Sequence, residues 1–431
     1  MPPPARAGAS SPRRTLPHDL SHRPEPEQRA MTAHRSNRQL GFQTRSIHEG
    51  YDPLLERGAV SPPIYMTSTF AFPNVAAADA VVADEAEGFL YGREHNPTQQ
   101  LLEQRVASLE GAEAGVTAAS GMAAISSLFL SLLSPGDEII VHRTLYNNTT
   151  ALTGEGLPRL GINVVKVDLS VPANLTAAVT EKTRLVYFET PINPTGEVLD
   201  IAAISALAHQ AGLRVVVDST FASPALQRPL ELGADIVVHS LTKYINGHGD
   251  LLGGIVLGDA ETMHKVRGLG LRYLTGATLS PMACFLVLRG LKTLKVRMRQ
   301  HSENALAVAQ MLDAHPAVRA VRYPFLESSP GYAIARKQMG GGSGMMSFEL
   351  HAGYDGAVRM MDRLKLIARA VSLGDVESLI MHPGGLLQAR RKVYPEAQLG
   401  TGVTMDLMRL SIGLEDADDL IADLEQALSG D

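Results

Sequence analysis

Two residues of this chain have the types and placement for carbonyl chemistry. Lys243 sits in HSLTKYINGHGD (239–250), directly after the apolar run Ile236, Val237 and Val238, where a strand would deliver an amine to a loop. Asp218 closes a second β-branched run, LRVVVD (213–218), and the segment between the runs is long enough for the crossover connection of a parallel sheet. Taken singly, the lysine reads as a surface residue and the aspartate as a helix cap. Together at one sheet edge they are an amine able to condense with a carbonyl and a carboxylate able to keep a pyridinium nitrogen protonated. Pyridoxal phosphate chemistry requires that pair.

A third element suits the same cofactor. GVTAASGMAAI (115–125) reads as a short strand, a Ser-Gly turn and the start of a helix. The N–H groups of Gly121 and Met122, with the helix dipole behind them, favour a phosphate dianion, and the glycine permits close approach. Ser120, Ser240 and Thr242 can add hydroxyls. Arg409 lies in LMRLSIG (407–413), where apolar neighbours suggest a strand. A guanidinium emerging there needs an anion, either a buried Asp or Glu or the carboxylate of a substrate bound through two parallel hydrogen bonds.

These residues need a large scaffold. The chain has 431 residues, 45% hydrophobic, which is long for one domain and enough for a sizeable core. From Asn96 to about residue 290 strand-like and helical runs alternate, as in an α/β fold with a mainly parallel sheet. Asn96 can cap a helix that starts at Pro97, presents Leu102, Val106 and Leu109 on one face and ends at Gly111. Residues 291–431 read as a smaller α+β domain with a long helix, the strand MMSFEL and a final helix striped by Leu420, Ile421, Leu424 and Leu428. The glycine cluster GGGSG (340–344) precedes a strand and so reads as a flexible connection, not a phosphate loop.

Residues 1–30, rich in Pro, Arg, Ser and His, are expected to be a disordered tail that is neither secretory signal nor transit peptide, with Met31 as an alternative start. Residues 31–95 carry Pro and Gly punctuators with little periodicity and read as an extended arm lying on a neighbouring subunit. The net charge of −6 argues against nucleic acid, and the basic cluster Lys292, Lys295, Arg297 and Arg299 reads as a solvated helix face. No apolar stretch reaches the roughly 18 residues of a membrane span. The single cysteine, Cys284, excludes an intrachain disulfide and fits a reducing cytoplasm. His239, His248 and His382 have no metal-ligand spacing, so no metal is expected.

From Thr44 onward the chain resembles the Cys/Met-metabolism family of pyridoxal phosphate enzymes, which have the fold-type I aminotransferase-like architecture. The stretches that carry the resemblance are YGREHNPTQQLLEQRVASLEG (91–111), SGMAA (120–124), ETPINPTGEVLDI (189–201), residues 215–250 and VSLGDVESLIMHP (371–383). Residues 270–298 and RAVSLGD (369–375) look most like the methionine γ-lyase branch. The resemblance implies a seven-stranded sheet between helices and a smaller C-terminal domain. It also implies a homotetramer built as a dimer of dimers, with Tyr91 and Arg93 reaching the phosphate of the neighbouring subunit.

By the same resemblance Tyr146 stacks on the cofactor ring and acts as acid toward the γ-leaving group. Ser372 helps hold the substrate carboxylate, and Asn193 contacts the cofactor O3′. The chain departs from the branch in two places. Asn147 and Asn148 follow Tyr146, the second where methionine γ-lyases carry a cysteine, and residues 384–406 lack the usual MTH run and crowd Arg390, Arg391 and Lys392. The expected activity is γ-elimination on L-methionine. γ-Replacing transferases such as O-acetylhomoserine or O-succinylhomoserine sulfhydrylase, and cystathionine or canavanine γ-lyases, stand as alternatives. A non-catalytic pyridoxal phosphate-binding protein would not need Lys243, Asp218, Tyr146 and Arg409 together.

Overall fold

A computed structural model describes residues 40–393 and 402–429. The expected tail and the start of the arm, together with part of the 384–406 segment, lie outside the described residues. The remainder of the arm holds short helices, Phe42–His48 and Val75–Val82, where sparse periodicity had suggested only extended chain. Asn74 explains the second of them: its side chain accepts from the Ala77 N–H at 2.9 Å and starts the helix.

The large sheet contains β1 (Ala114–Ala118), β2 (Glu138–His142), β3 (Asn163–Val167), β4 (Thr183–Glu189), β5 (Arg214–Asp218), β6 (Ile236–His239) and β7 (Gly254–Gly258). Its order is β1-β7-β6-β5-β4-β2-β3. β6, β5, β4, β2 and β3 run parallel, and β7 is antiparallel to both its neighbours. Helices cover both faces, so successive residues of one strand enter different cores: Val216 packs with Leu128, Phe129 and Tyr187, whereas Val215 and Val217 pack with Phe188 and Ile204.

The helix Pro97–Glu110 forms as its sequence implies. Asn96 accepts from the Thr98 N–H at 2.9 Å, Gly111 closes the helix at φ +84, and Leu102, Val106 and Leu109 are fully buried. Each such burial contributes roughly 1.5–3 kcal/mol. Cys284 is likewise buried.

After the long helix Leu294–Ala314 comes a five-stranded sheet of β8 (Val318–Arg322), β9 (Met345–Leu350), β10 (Ala368–Arg369), β11 (Leu379–Met381) and β12 (Met408–Ser411). Its order is β10-β11-β12-β9-β8, and the final helix Ala417–Leu428 buries Leu420, Leu424 and Leu428. Two expectations fail here. GGGSG is not a flexible link: residues 341–344 are buried, a Cβ on Gly342 would lie 2.4 Å from the Tyr323 ring, and one on Gly344 would lie 2.5 Å from the Ile412 carbonyl oxygen. Arg297 is not on a solvated face; it is buried, and its guanidinium donates to the carbonyls of Tyr244 and Gly290 at 2.7 and 3.0 Å. Among the described residues no helix is long and apolar enough to cross a membrane.

Candidate active site

The C-terminal ends of β4, β5 and β6 open onto one cavity, the place where a parallel sheet ordinarily presents its chemistry. Glu189, Asp218, Ser240, Thr242 and Lys243 line it from these strand ends, together with Tyr146 and Asn148. Glu189 and Asp218 are partners in the parallel register. They share a face because each stands two residues beyond a member of the same core, Tyr187 and Val216.

Lys243 is held in place by the chain around it. Arg297 clamps the carbonyl of the next residue, Tyr244, and Gly247 ends the turn at φ +74. The Lys243 ammonium donates to Ser372 Oγ at 2.7 Å, which ties the large sheet to the smaller domain. Burial, reinforced by the positive charge of Arg409, lowers its pKa to about 8, against a smaller opposing effect of Asp375.

Asp218 accepts from the Thr220 N–H at 2.9 Å and from the Tyr187 hydroxyl at 3.4 Å. Glu189 accepts from the Tyr146 N–H at 2.7 Å. No Lys or Arg is within ion-pair distance of either carboxyl among the described residues. Burial raises both pKa values; the neighbouring Asp218 raises that of Glu189 further, whereas hydrogen bonds from Thr220 and the nearby His239 hold Asp218 down. A buried carboxyl pair without a cation is suited to receiving one.

Against Ser240, Ser120 caps the helix Gly121–Leu132, accepting from Ala123 N–H at 3.1 Å and leaving its own proton to donate. Backbones crowd here. A Cβ on Gly121 would lie 3.1 Å from that of Ser240, and one on Gly254 would lie 2.3 Å from the Ser120 carbonyl oxygen. Gly121 and Met122, at the start of this helix, line the cavity. Thr242 lines the same cavity, but its hydroxyl is engaged by the backbone of Gly253, accepting from its N–H at 3.0 Å. A cradle for a dianion, an amine of lowered proton affinity and an uncompensated carboxyl pair together fit pyridoxal phosphate.

Arg409, on β12, is buried and has no carboxylate partner among the described residues. It donates to Asn193 Oδ1 at 3.0 Å and to the Ser372 carbonyl at 2.6 Å, and its Nε has no acceptor. Among the described residues the ion-pair alternative is therefore not formed. Ser372 itself has φ +92, a strained conformation for a residue with a side chain. Tyr146 is 41% exposed, and its hydroxyl accepts from Asn148 Nδ2 at 3.0 Å. Burial raises its pKa; Arg409 lowers it and Glu189 raises it further.

Tyr91 and Arg93 do not line this cavity. They stack on each other, with the guanidinium 5.5 Å from the ring centre, on an exposed part of the arm. Two residues escaped the sequence reading. Glu189 ends the apolar run LVYF just as Asp218 ends VVV, so the same signal would have found it. Arg297 carries no such signal. Among the described residues no group of three or more His, Cys, Asp or Glu side chains is placed to hold a metal.

Residues 43–429 match the model of the family described as Cys/Met metabolism PLP-dependent enzymes. An L-methionine γ-lyase of Pseudomonas putida is 48% identical over 92% of this chain and 99% of its own length. One from Pseudomonas deceptionensis is 50% identical over 91% of this chain and 98% of its own. The crystal structure of metB from Corynebacterium glutamicum superposes with a TM-score of 0.84 at 41% identity, covering 90% of this chain and 98% of that one. Likeness at this level along almost the whole described chain, with a cavity whose donors fit the cofactor, means that the protein belongs to the Cys/Met-metabolism family of pyridoxal phosphate-dependent enzymes.

Proposed function

We propose that this protein catalyses γ-elimination on L-methionine, converting it with one water to methanethiol, ammonia and 2-oxobutanoate. The observation that carries the reading is the convergence of Lys243, Asp218 and Tyr146 on one cavity. The high identity to proteins named L-methionine γ-lyase supports the same reaction. Bound pyridoxal 5′-phosphate supplies a sink for the electrons left on the substrate Cα when its proton departs.

Lys243 would hold the cofactor and Asp218 would keep its ring nitrogen protonated. The N–H groups of Gly121 and Met122 and the hydroxyls of Ser120 and Ser240 would hold the phosphate, with Thr242 joining them by giving up Gly253. Asn193, whose Oδ1 already accepts from Arg409, would use its amino group as the donor to the cofactor O3′. Arg409 would take the substrate carboxylate through two hydrogen bonds, with Ser372 beside it. That carboxylate offsets the charge by which Arg409 weakens Lys243 as a base. Lys243, freed as an amine, then moves protons from Cα and Cβ. Tyr146, a phenol whose pKa burial raises, would act as the acid toward the departing sulfur.

Asn148 favours a second reading, since it contacts the acid directly and stands where the methionine γ-lyase branch carries cysteine. A γ-replacing transferase, or a cystathionine or canavanine γ-lyase, would use the same residues up to loss of the leaving group. In either reading the protein is a cytoplasmic dimer of dimers. Residues 31–95 form an arm on the neighbouring copy, residues 96–290 the cofactor-binding domain and 291–431 the smaller domain. Tyr91 and Arg93 complete the phosphate site of that neighbour.

The test is subunit exchange. Lys243→Ala and Arg93→Ala should each abolish or nearly abolish 2-oxobutanoate formation, and mixing the two variants should restore part of it through hybrid dimers. Turnover by Lys243→Ala alone would refute the mechanism, and absence of rescue would refute the shared site.

A further inference from the structure

Glu189 has no part in the chemistry above, yet it is 4% exposed, lines the cavity and stands beside Asp218 in register. Two carboxyls side by side in a buried site cannot both ionise cheaply. Their surroundings are unequal. Asp218 receives the Thr220 N–H and the Tyr187 hydroxyl and lies near His239 on β6, itself paired with the buried Glu110 at 2.8 Å. Among the described residues Glu189 receives only backbone N–H groups, from Tyr146 at 2.7 Å and from Asn193.

We propose that Glu189 is a positioning residue of the cofactor site: it holds the single proton of the carboxyl pair, leaving the negative charge on Asp218, while its other oxygen fastens the Tyr146 loop to the sheet edge. Burial and the neighbouring Asp218 push Glu189 well above the ordinary carboxyl range, and Asp218 is raised as well but is relieved by Thr220 and His239. Tyr187, buried against both groups and held protonated, adds no charge. Glu189 thus concentrates charge where a ring nitrogen would sit and holds the acid at the mouth of the same cavity.

The inference rests on Asp218 as the partner of the ring nitrogen, so the variants separate the two claims. Glu189→Gln imitates the protonated acid and keeps an acceptor for the Tyr146 N–H. Its cofactor dissociation constant, from equilibrium dialysis of pyridoxal phosphate, should change by less than about tenfold. Asp218→Asn should weaken binding by more than about a hundredfold, because it strips a buried cation of its partner. Glu189→Ala should lose the fastening and diminish the visible circular dichroism of the bound cofactor, with a far-ultraviolet spectrum establishing that it is folded. If Glu189→Gln weakens the cofactor as much as Asp218→Asn, the proton assignment is overturned. Unchanged visible dichroism in folded Glu189→Ala overturns the positioning role, and unchanged affinity in Asp218→Asn overturns the reading beneath both.

Discussion

At the scale of single residues, Lys243 is an amine whose proton is loosened by its surroundings. Its pKa falls to about 8 because it is buried and because Arg409 is close, so it is largely ammonium at pH 7 and free amine above 8. Only the free amine attacks the aldehyde of pyridoxal phosphate. Covalent uptake of cofactor by the cofactor-free protein, followed by absorbance, should therefore accelerate as pH rises through about 8 and then level off. Arg409→Leu removes a lowering influence and should displace that rise to higher pH; an unmoved profile would show that Arg409 does not act on the amine. Asp218 was legible in the sequence because it terminates a β-branched run, and Lys243 because it stands in the loop that follows one, where a charged side chain has a site to serve. Arg409 was legible for the related reason that a guanidinium between apolar neighbours needs an anion. The role of Arg297 was not, since charge spacing along a helix does not say which turn meets the backbone of another loop.

At the scale of elements, the loop after β6 is shaped by one glycine and one arginine. Gly247 has φ +74, and a Cβ there would lie 1.9 Å from Arg297 Nη1, the nitrogen that holds the Tyr244 carbonyl. Gly247→Ala should therefore cost about 1–3 kcal/mol of unfolding free energy and loosen the cofactor, through both backbone strain and displacement of the clamp. Gly268→Ala is the control, because a Cβ there meets nothing within 4 Å. Equal denaturant midpoints for the two variants would contradict this account of the loop. Elements with local punctuation were readable, as the helix Pro97–Glu110 with its Asn96 cap and Gly111 stop demonstrates. GGGSG was misread because glycine marks either flexibility or close packing, and only the distant Tyr323 and Ile412 decide between them.

At the scale of the whole molecule, alternating strands and helices sufficed to expect a mainly parallel sheet, but not the antiparallel insertion of β7 between β1 and β6. Strand order depends on contacts distant in sequence, which periodicity does not encode. The same holds for the joining of the two sheets at the site, where Lys243 meets Ser372 and Asn193 meets Arg409. These contacts bring Lys243 and Tyr146, which line the cavity, close to Arg409, and the proposed elimination would use them as base, acid and carboxylate clamp whether the leaving atom is a thioether sulfur or an activated oxygen. In the proposed function, Asn148, which donates to the Tyr146 hydroxyl, separates the two readings. The most direct measurement is the product balance when the purified protein, loaded with pyridoxal phosphate, is incubated with L-methionine in the absence of sulfide. Methanethiol and 2-oxobutanoate in equal amounts are the predicted result. No keto acid from methionine, with homocysteine formed only from O-acetyl-L-homoserine and sulfide, would contradict the lyase reading and make the protein a transferase.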